Sequence, residues 1–287
     1  MRGDVASLGK SPESISESRK FFGDIAWVAL SQVFTSFLGI ITLPALTKTY
    51  TTADFGIWAQ VSATVSLAVP LLTLQFGSTV VRFLAGESDK NKRRRSLGTM
   101  LGAILIFTCL TLTVTSLLAR QFSSFLFANS SYTNFVYLTF LWTFIDSLFT
   151  FFIAYQRAMR RMKRLSLIQA AFSASKMGGI VLLARSGIAL PWVIACMILI
   201  ESAFTLALFF VVIHEEGFPA PNFSGIRLFL VFSIPQIPSG ILLWIIESSD
   251  RYFITHFLNL SQTGIYSTSN TLGGLIALFY APISFVL

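Results

Sequence analysis

Asp146, Lys176 and Glu201 stand inside long apolar stretches of the 287-residue chain. A charge held at the depth of a bilayer core is costly, and it marks a substrate path, an ion or proton relay, or a structural ion pair. Asp146 belongs to the series Thr139, Thr143, Asp146 and Thr150, whose spacing puts all four on one helical face. Lys176 belongs to a similar series, Gln169, Ser173, Lys176 and Gly179. A basic connector joins the two stretches. With residue 161 as the middle of that hairpin, Asp146 and Lys176 stand equally far along its two arms, so a helical rise of about 1.5 Å per residue brings them to similar depth. The spacing predicts that they face each other, directly or through water, and that Glu201 of the next stretch joins them. Two readings stay open. The group is a clasp in which opposite charges offset each other's burial, or it serves headgroup binding or ion coupling, for which an unpaired Glu201 would suit proton traffic.

A second constellation, Glu247, Asp250 and Arg251, lies further along. Glu247 and Arg251 are four apart and can pair along a helix. Arg251 can also contact a phosphate, or simply anchor at the interface. Uncharged polar stripes accompany these groups: Gln32, Ser36 and Gly39; Gln60 and Thr64, with Gln75 beyond; and Ser267, Asn270 and Gly274. Small and amide side chains commonly pack helices together in membranes. The sharper reading makes Gln32, Gln60, Asn270, Lys176 and Arg251 the lining of a substrate cavity. Asp146, Lys176, Glu201, Glu247 and Asp250 are then candidates for coupling or intramembrane pairing.

Soluble catalytic chemistry finds no support. His214 and His256 are isolated, glycines form no phosphate-cradling loop, and no polar segment is long enough to house an active site. Cys109 and Cys196 have no Cys or His at ligand spacing. We therefore expect no catalytic residue, no metal and no cofactor, and a protein that is not an enzyme.

The elements that must position these residues are membrane helices. The chain is 54% hydrophobic and 12% charged, with a mean hydropathy of +0.72 and 29 phenylalanines; a soluble surface needs about twice that charge. Apolar blocks long enough to cross a bilayer occur at 25–46, 56–81, 97–118, 135–154, 167–184, 188–213, 228–258 and 264–287. The alternating pattern of a membrane barrel is absent. The expected fold is an all-α polytopic bundle of about eight transmembrane helices, the seventh tilted or kinked at Pro235 and Pro238. The polar segment 1–24 has no early apolar core and is not a cleavable signal. Of 21 Lys and Arg residues, 16 fall on the side of the N-terminus and three on the other. That bias predicts a cytoplasmic N-terminus in a multi-pass inner-membrane protein. It also assigns the net charge of +8 to topology and anionic lipid headgroups, not to nucleic acid.

An internal echo suggests two lobes. The stretch DFGIW at 54–58 opens the second block, and QTGIY at 262–266 opens the eighth. Parallel repeats of this kind are common in transporters. The expected organisation is a cytoplasmic tail (1–24), a six-helix lobe (25–213), a cytoplasmic link (214–227) and the first two helices of a second, incomplete lobe (228–287). The last block ends without a polar tail, so a truncated product or fragment is expected.

The stretch SDRYFITHFLNLSQTGIY (249–266) resembles the seventh-to-eighth helix junction of polysaccharide-biosynthesis flippases, of the multidrug/oligosaccharidyl-lipid/polysaccharide exporter superfamily. LTKTYTTADFGIW (46–58) is similar to their first-to-second loop, and YQRAMRRMKR (155–164) to their fourth-to-fifth loop. The resemblance implies two pseudosymmetric bundles totalling twelve to fourteen helices. It also implies translocation of undecaprenyl-pyrophosphate-linked oligosaccharide by alternating access. The glycan would cross a polar, often cationic cavity while the lipid tail stays in the bilayer. A polysaccharide polymerase and a chain-length regulator are the partners such a role implies. Lipid II flippases of the superfamily carry arginines in the first two spans; the interior of the first block here has none, which disfavours lipid II as cargo. Rival expectations are a multidrug antiporter of the same superfamily, a membrane-embedded polymerase or glycosyltransferase, and a non-transporting remnant. The polymerase or transferase would need a large external loop or an acidic soluble domain, and this sequence has neither.

Overall fold

A computed structural model describes residues 12–218 and 220–274. Described residues are helical almost throughout, and seven helices are long and apolar enough to cross a membrane. The protein is an all-α polytopic membrane bundle. Its helices are α1 (Pro12–Thr49), α2 (Thr52–Leu72), α3 (Phe76–Leu84), α4 (Lys90–Leu117), α5 (Ala119–Phe127), α6 (Thr133–Ala158), α7 (Met162–Arg185), α8 (Leu190–Glu216), α9 (Ile226–Ser233), α10 (Ile237–Phe257) and α11 (Leu260–Gly274). The eighth apolar block starts as α11, four residues before its expected position. The remainder of that block, and the question of how the chain ends, lie outside the described residues.

Local chemistry sets the boundaries. Thr51 and Asp54 form a reciprocal capping box that starts α2. The Asp89 carboxylate accepts from the backbone of Asn91 and Lys92 to start α4. Gly187 and Gly217, both at positive φ, end the hairpin after α7 and the run of α8. α1 begins at Pro12, within the segment read as a polar tail, and continues into the first span.

The second block does not form one helix as its hydropathy suggested. Leu74 and Gln75 both take left-handed backbone, with φ of 51° and 54°, and divide it into α2 and α3. Pro70 lies one turn earlier, where its missing N–H already weakens the helical ladder. The seventh block is also divided: α9 passes through a short 3-10 turn at Ile234–Gln236, which contains Pro235, into α10, whose second residue is Pro238. That is where the sequence placed a kink.

α6 is the central helix, packed by α2, α3, α4 and α8. α7 lies against α8, and α1 runs along α7. α10 and α11 pack on the opposite side of α2. Burial divides into two apolar clusters at different depths. One holds Phe55, Val61, Val136, Trp142, Val193 and Ile194. The other holds Phe76, Leu97, Met100, Phe151, Phe152 and Leu208.

The connectors segregate by end, as alternating spans require. At one end Arg93 pairs with Glu216 at 3.2 Å, Tyr155 donates to Glu216 at 2.9 Å, and Glu215 holds both Arg161 and Arg164. This is the basic end. At the other, the Tyr50 hydroxyl donates to the Ile188 carbonyl at 2.6 Å. Burial, and then the charge of Asp54, raise the Tyr50 pKa and keep that donor protonated.

Candidate functional site

The charged group forms where α6, α7 and α8 meet, at the level where one apolar cluster gives way to the other. Glu201 on α8 is buried, 1% exposed. Its Oε2 accepts from the Trp142 indole N–H at 3.0 Å and lies 3.9 Å from Lys176 Nζ. The ammonium also sits over the rings of Trp142 and Phe172, at 5.1 and 5.0 Å from their centroids. A cation facing two aromatic rings and a carboxylate is well held even though the Lys176 side chain stays partly exposed. Gly179, one turn beyond Lys176, clears space for α8: a Cβ there would be 3.0 Å from Ile200 Cδ1 and 3.6 Å from Cys196 Sγ.

The acid within 4 Å of Lys176 is Glu201, the residue expected to join the pair; of the two forms expected for Asp146 and Lys176, direct or through water, the direct ion pair is not formed. Asp146 lies near Glu201 and accepts from Thr150 at 3.2 Å. The equal-depth argument placed Asp146 and Lys176 correctly along their axes. It could not see that α8 lies against both α6 and α7 and presents Glu201 to them. Two carboxyls and one ammonium carry one formal negative charge in excess. The hydroxyls that marked the α6 stripe contribute little to it: Thr139 and Thr143 donate to carbonyls one turn back in their own helix.

The second polar region is the seam between α2 and the α10–α11 pair. Gly56 and Gly264, which the sequence placed in register, touch the opposing helix reciprocally. A Cβ on Gly56 would overlap the Leu260 carbonyl, and one on Gly264 would overlap the Thr52 carbonyl. Residues 52 and 56 correspond to 260 and 264 in the repeat. This is the signature of a local two-fold relation, in which i meets j and j meets i. The helix starts match too. Thr51 caps α2 by accepting from the Asp54 N–H, and Asn259 caps α11 by accepting from the Gln262 N–H at 2.9 Å. Thr52 and Ser261 hydroxyls bond across the seam at 3.2 Å.

Further along the seam, the hydroxyls of Thr64 and Tyr252 bond at 2.7 Å, and the Trp244 indole donates to the Ala63 carbonyl at 2.8 Å. Gln60 is fully buried; its Oε1 accepts weakly from Thr255 at 3.4 Å and its Nε2 has no partner. Gln60 therefore sits between packed helices, not on an open cavity wall. Beyond the break in the second block, Ser78 donates to Gln236 at 2.7 Å, and Phe83 of α3 packs edge-on against Phe229 of α9.

Other expectations are only partly met. Glu247 is exposed and makes no ion pair with Arg251; the Arg251 guanidinium donates to Ser248 at 3.0 Å instead, one turn back and closer in. Asp250 accepts from the Tyr266 hydroxyl, tying α10 to α11. Gln32 and Asn270 are exposed on α1 and α11. The first helix makes its polar contacts one residue earlier than the stripe suggested: Ser31 donates to the Ser166 carbonyl at 3.1 Å, and Thr35 bonds Ser173 at 3.1 Å. Ser31, Thr35 and Trp142 were missed. Trp142 carried no sequence signal except its position one turn before Asp146.

A family model described as polysaccharide biosynthesis protein matches residues 22–287. No curated protein and no solved structure matches the chain.

Proposed function

The chain belongs to the polysaccharide biosynthesis protein family, and on that premise we propose that it is a transporter, not an enzyme. Its cargo is undecaprenyl-pyrophosphate-linked oligosaccharide, carried across the bacterial inner membrane by alternating access for O-antigen, capsule or exopolysaccharide assembly. The observation that carries this reading is the reciprocal crossing of α2 and α11 at Gly56 and Gly264. Two repeats that meet through glycine backbone and hydroxyls, with no ion pair across the seam among the described residues, can rock against each other without separating buried charges. The seam's glycine end lies opposite the basic end, so its closure seals the outer side when the N-terminus is cytoplasmic.

Such a cargo needs a polar path for its glycan and cations for its diphosphate, while its polyprenyl tail remains in lipid. Arg251 and Lys176 are the cations nearest the membrane interior, and Lys176 stays attached to Glu201 unless a competing anion draws it away. A polymerase and a chain-length regulator would take up the cargo on the outer face.

The test is restoration of surface glycan in a flippase-deficient strain. It is paired with a vesicle assay of a labelled lipid-linked oligosaccharide. Rescue together with protein-dependent appearance of the label on the far leaflet supports the proposal. Drug resistance without glycan rescue would identify a multidrug antiporter, and incorporation of new sugar would identify a polymerase or transferase.

A further inference from the structure

At the basic end, a cleft of about 270 Å³ opens between the end of α3, the first turns of α4 and the link into α9. One wall is cationic, with Lys92, Arg93 and Arg95; the other is apolar, with Phe83, Leu228 and Phe229. Arg93 is already committed to Glu216 and to the Glu87 carbonyl. Lys92 and Arg95 are exposed, and no acid lies within 4 Å of either among the described residues. Glu87 is the one carboxylate in the lining. Two uncommitted cations over one acid leave a single net positive charge, which matches one phosphodiester. Thr99 and Asn222 satisfy each other across the floor, leaving the Ser96 hydroxyl as a further donor.

We propose that this cleft binds the phosphate headgroup of an anionic phospholipid, which bridges the six-helix lobe and the entry helix of the second repeat. The lining is amphiphilic, as an interfacial lipid requires: the phosphate meets Lys92 and Arg95, and the acyl chain lies along Leu228, which is 59% exposed. A soluble phosphate would leave that apolar wall unused. The link is otherwise held to α4 by the Thr99–Asn222 bonds and by its close approach to Gly98 and Gly102, where an added Cβ would be 2.6 Å from Ala220 and 3.2 Å from Phe223. A lipid wedged there adds its own contacts to both sides, so it steadies α9 against α3. The proposal is independent of the transport reading.

The experiment measures binding of phosphatidylglycerol to the purified full chain by native mass spectrometry, with phosphatidylcholine and inorganic phosphate as parallel probes. The wild type is compared with K92Q/R95Q and with R120Q/R185Q, which removes the same charge at the opposite end. The expected result is preferential retention of phosphatidylglycerol, weakened at least fivefold in K92Q/R95Q and unchanged in R120Q/R185Q. Equal loss in both variants, or equal retention of phosphatidylcholine, would overturn the site. Displacement of the lipid by millimolar inorganic phosphate would make it a free-phosphate site and overturn the lipid assignment.

Discussion

In the α6–α7–α8 group, Lys176 faces Glu201 and two aromatic rings, and Asp146 stands close behind. Along α2, α10 and α11 the polar contacts are between hydroxyls, an indole, an amide and glycine backbone. Removing a buried charge from its partner costs several kcal/mol, whereas exchanging one hydroxyl contact for another costs about 1 kcal/mol or less. The charged group therefore fixes three helices of one lobe as a unit. On the proposed transport reading, the uncharged seam is where the second repeat would shift against that lobe.

The largest expected effect breaks the seam. Gly56→Leu must force α2 away from the Leu260 carbonyl, with a loss of about 3 kcal/mol. Thermal unfolding in detergent reads the stability, and surface glycan should be lost. By the local two-fold relation Gly264→Leu should match it; a mild Gly264→Leu beside a severe Gly56→Leu would break the equivalence of the repeats.

The next effect sharpens the other side of the comparison. Glu201→Gln removes the acid nearest Lys176 and should destabilise the lobe by about 2–4 kcal/mol, below the full value for a deeply buried pair because Lys176 is partly exposed. Lys176→Met with Glu201→Met should recover most of that loss if the pair is a clasp. A stable double variant that no longer transports would assign the pair to coupling as well.

The smallest effect is at Gln60. Its Nε2 has no partner, so Gln60→Met should change stability by less than about 1 kcal/mol. Transport should also persist, since the side chain is packed in the seam; a transport defect at full stability would return Gln60 to the cavity wall.

Much of this was legible in the sequence for definite reasons. Block length gives the spans, because a helix must bury its whole length in lipid. The correspondence of Gly56 and Gly264 was legible as an echo between two helix starts, but their close backbone approach was not. Depth was legible at Asp146 and Lys176, but partner choice was not. Spacing within one helix says which residues share a face, and only the packing of α8 against α6 and α7 says which acid meets Lys176. The break at Leu74 and Gln75 left no trace in hydropathy, because both flanking segments are apolar. At α1 a one-residue error moved the contact from Ser31 and Thr35 to Gln32 and Ser36, since neighbouring positions differ by about 100° around a helix.

The movement of the seam can be tested with a disulfide. In a C109S/C196S background, T52C and S261C replace two hydroxyls that already bond across the crossing at 3.2 Å. Oxidation should link them, stop translocation of labelled lipid-linked oligosaccharide into vesicles, and permit it again after reduction. Undiminished translocation by the fully crosslinked protein would contradict the account, because the seam would then be a fixed joint.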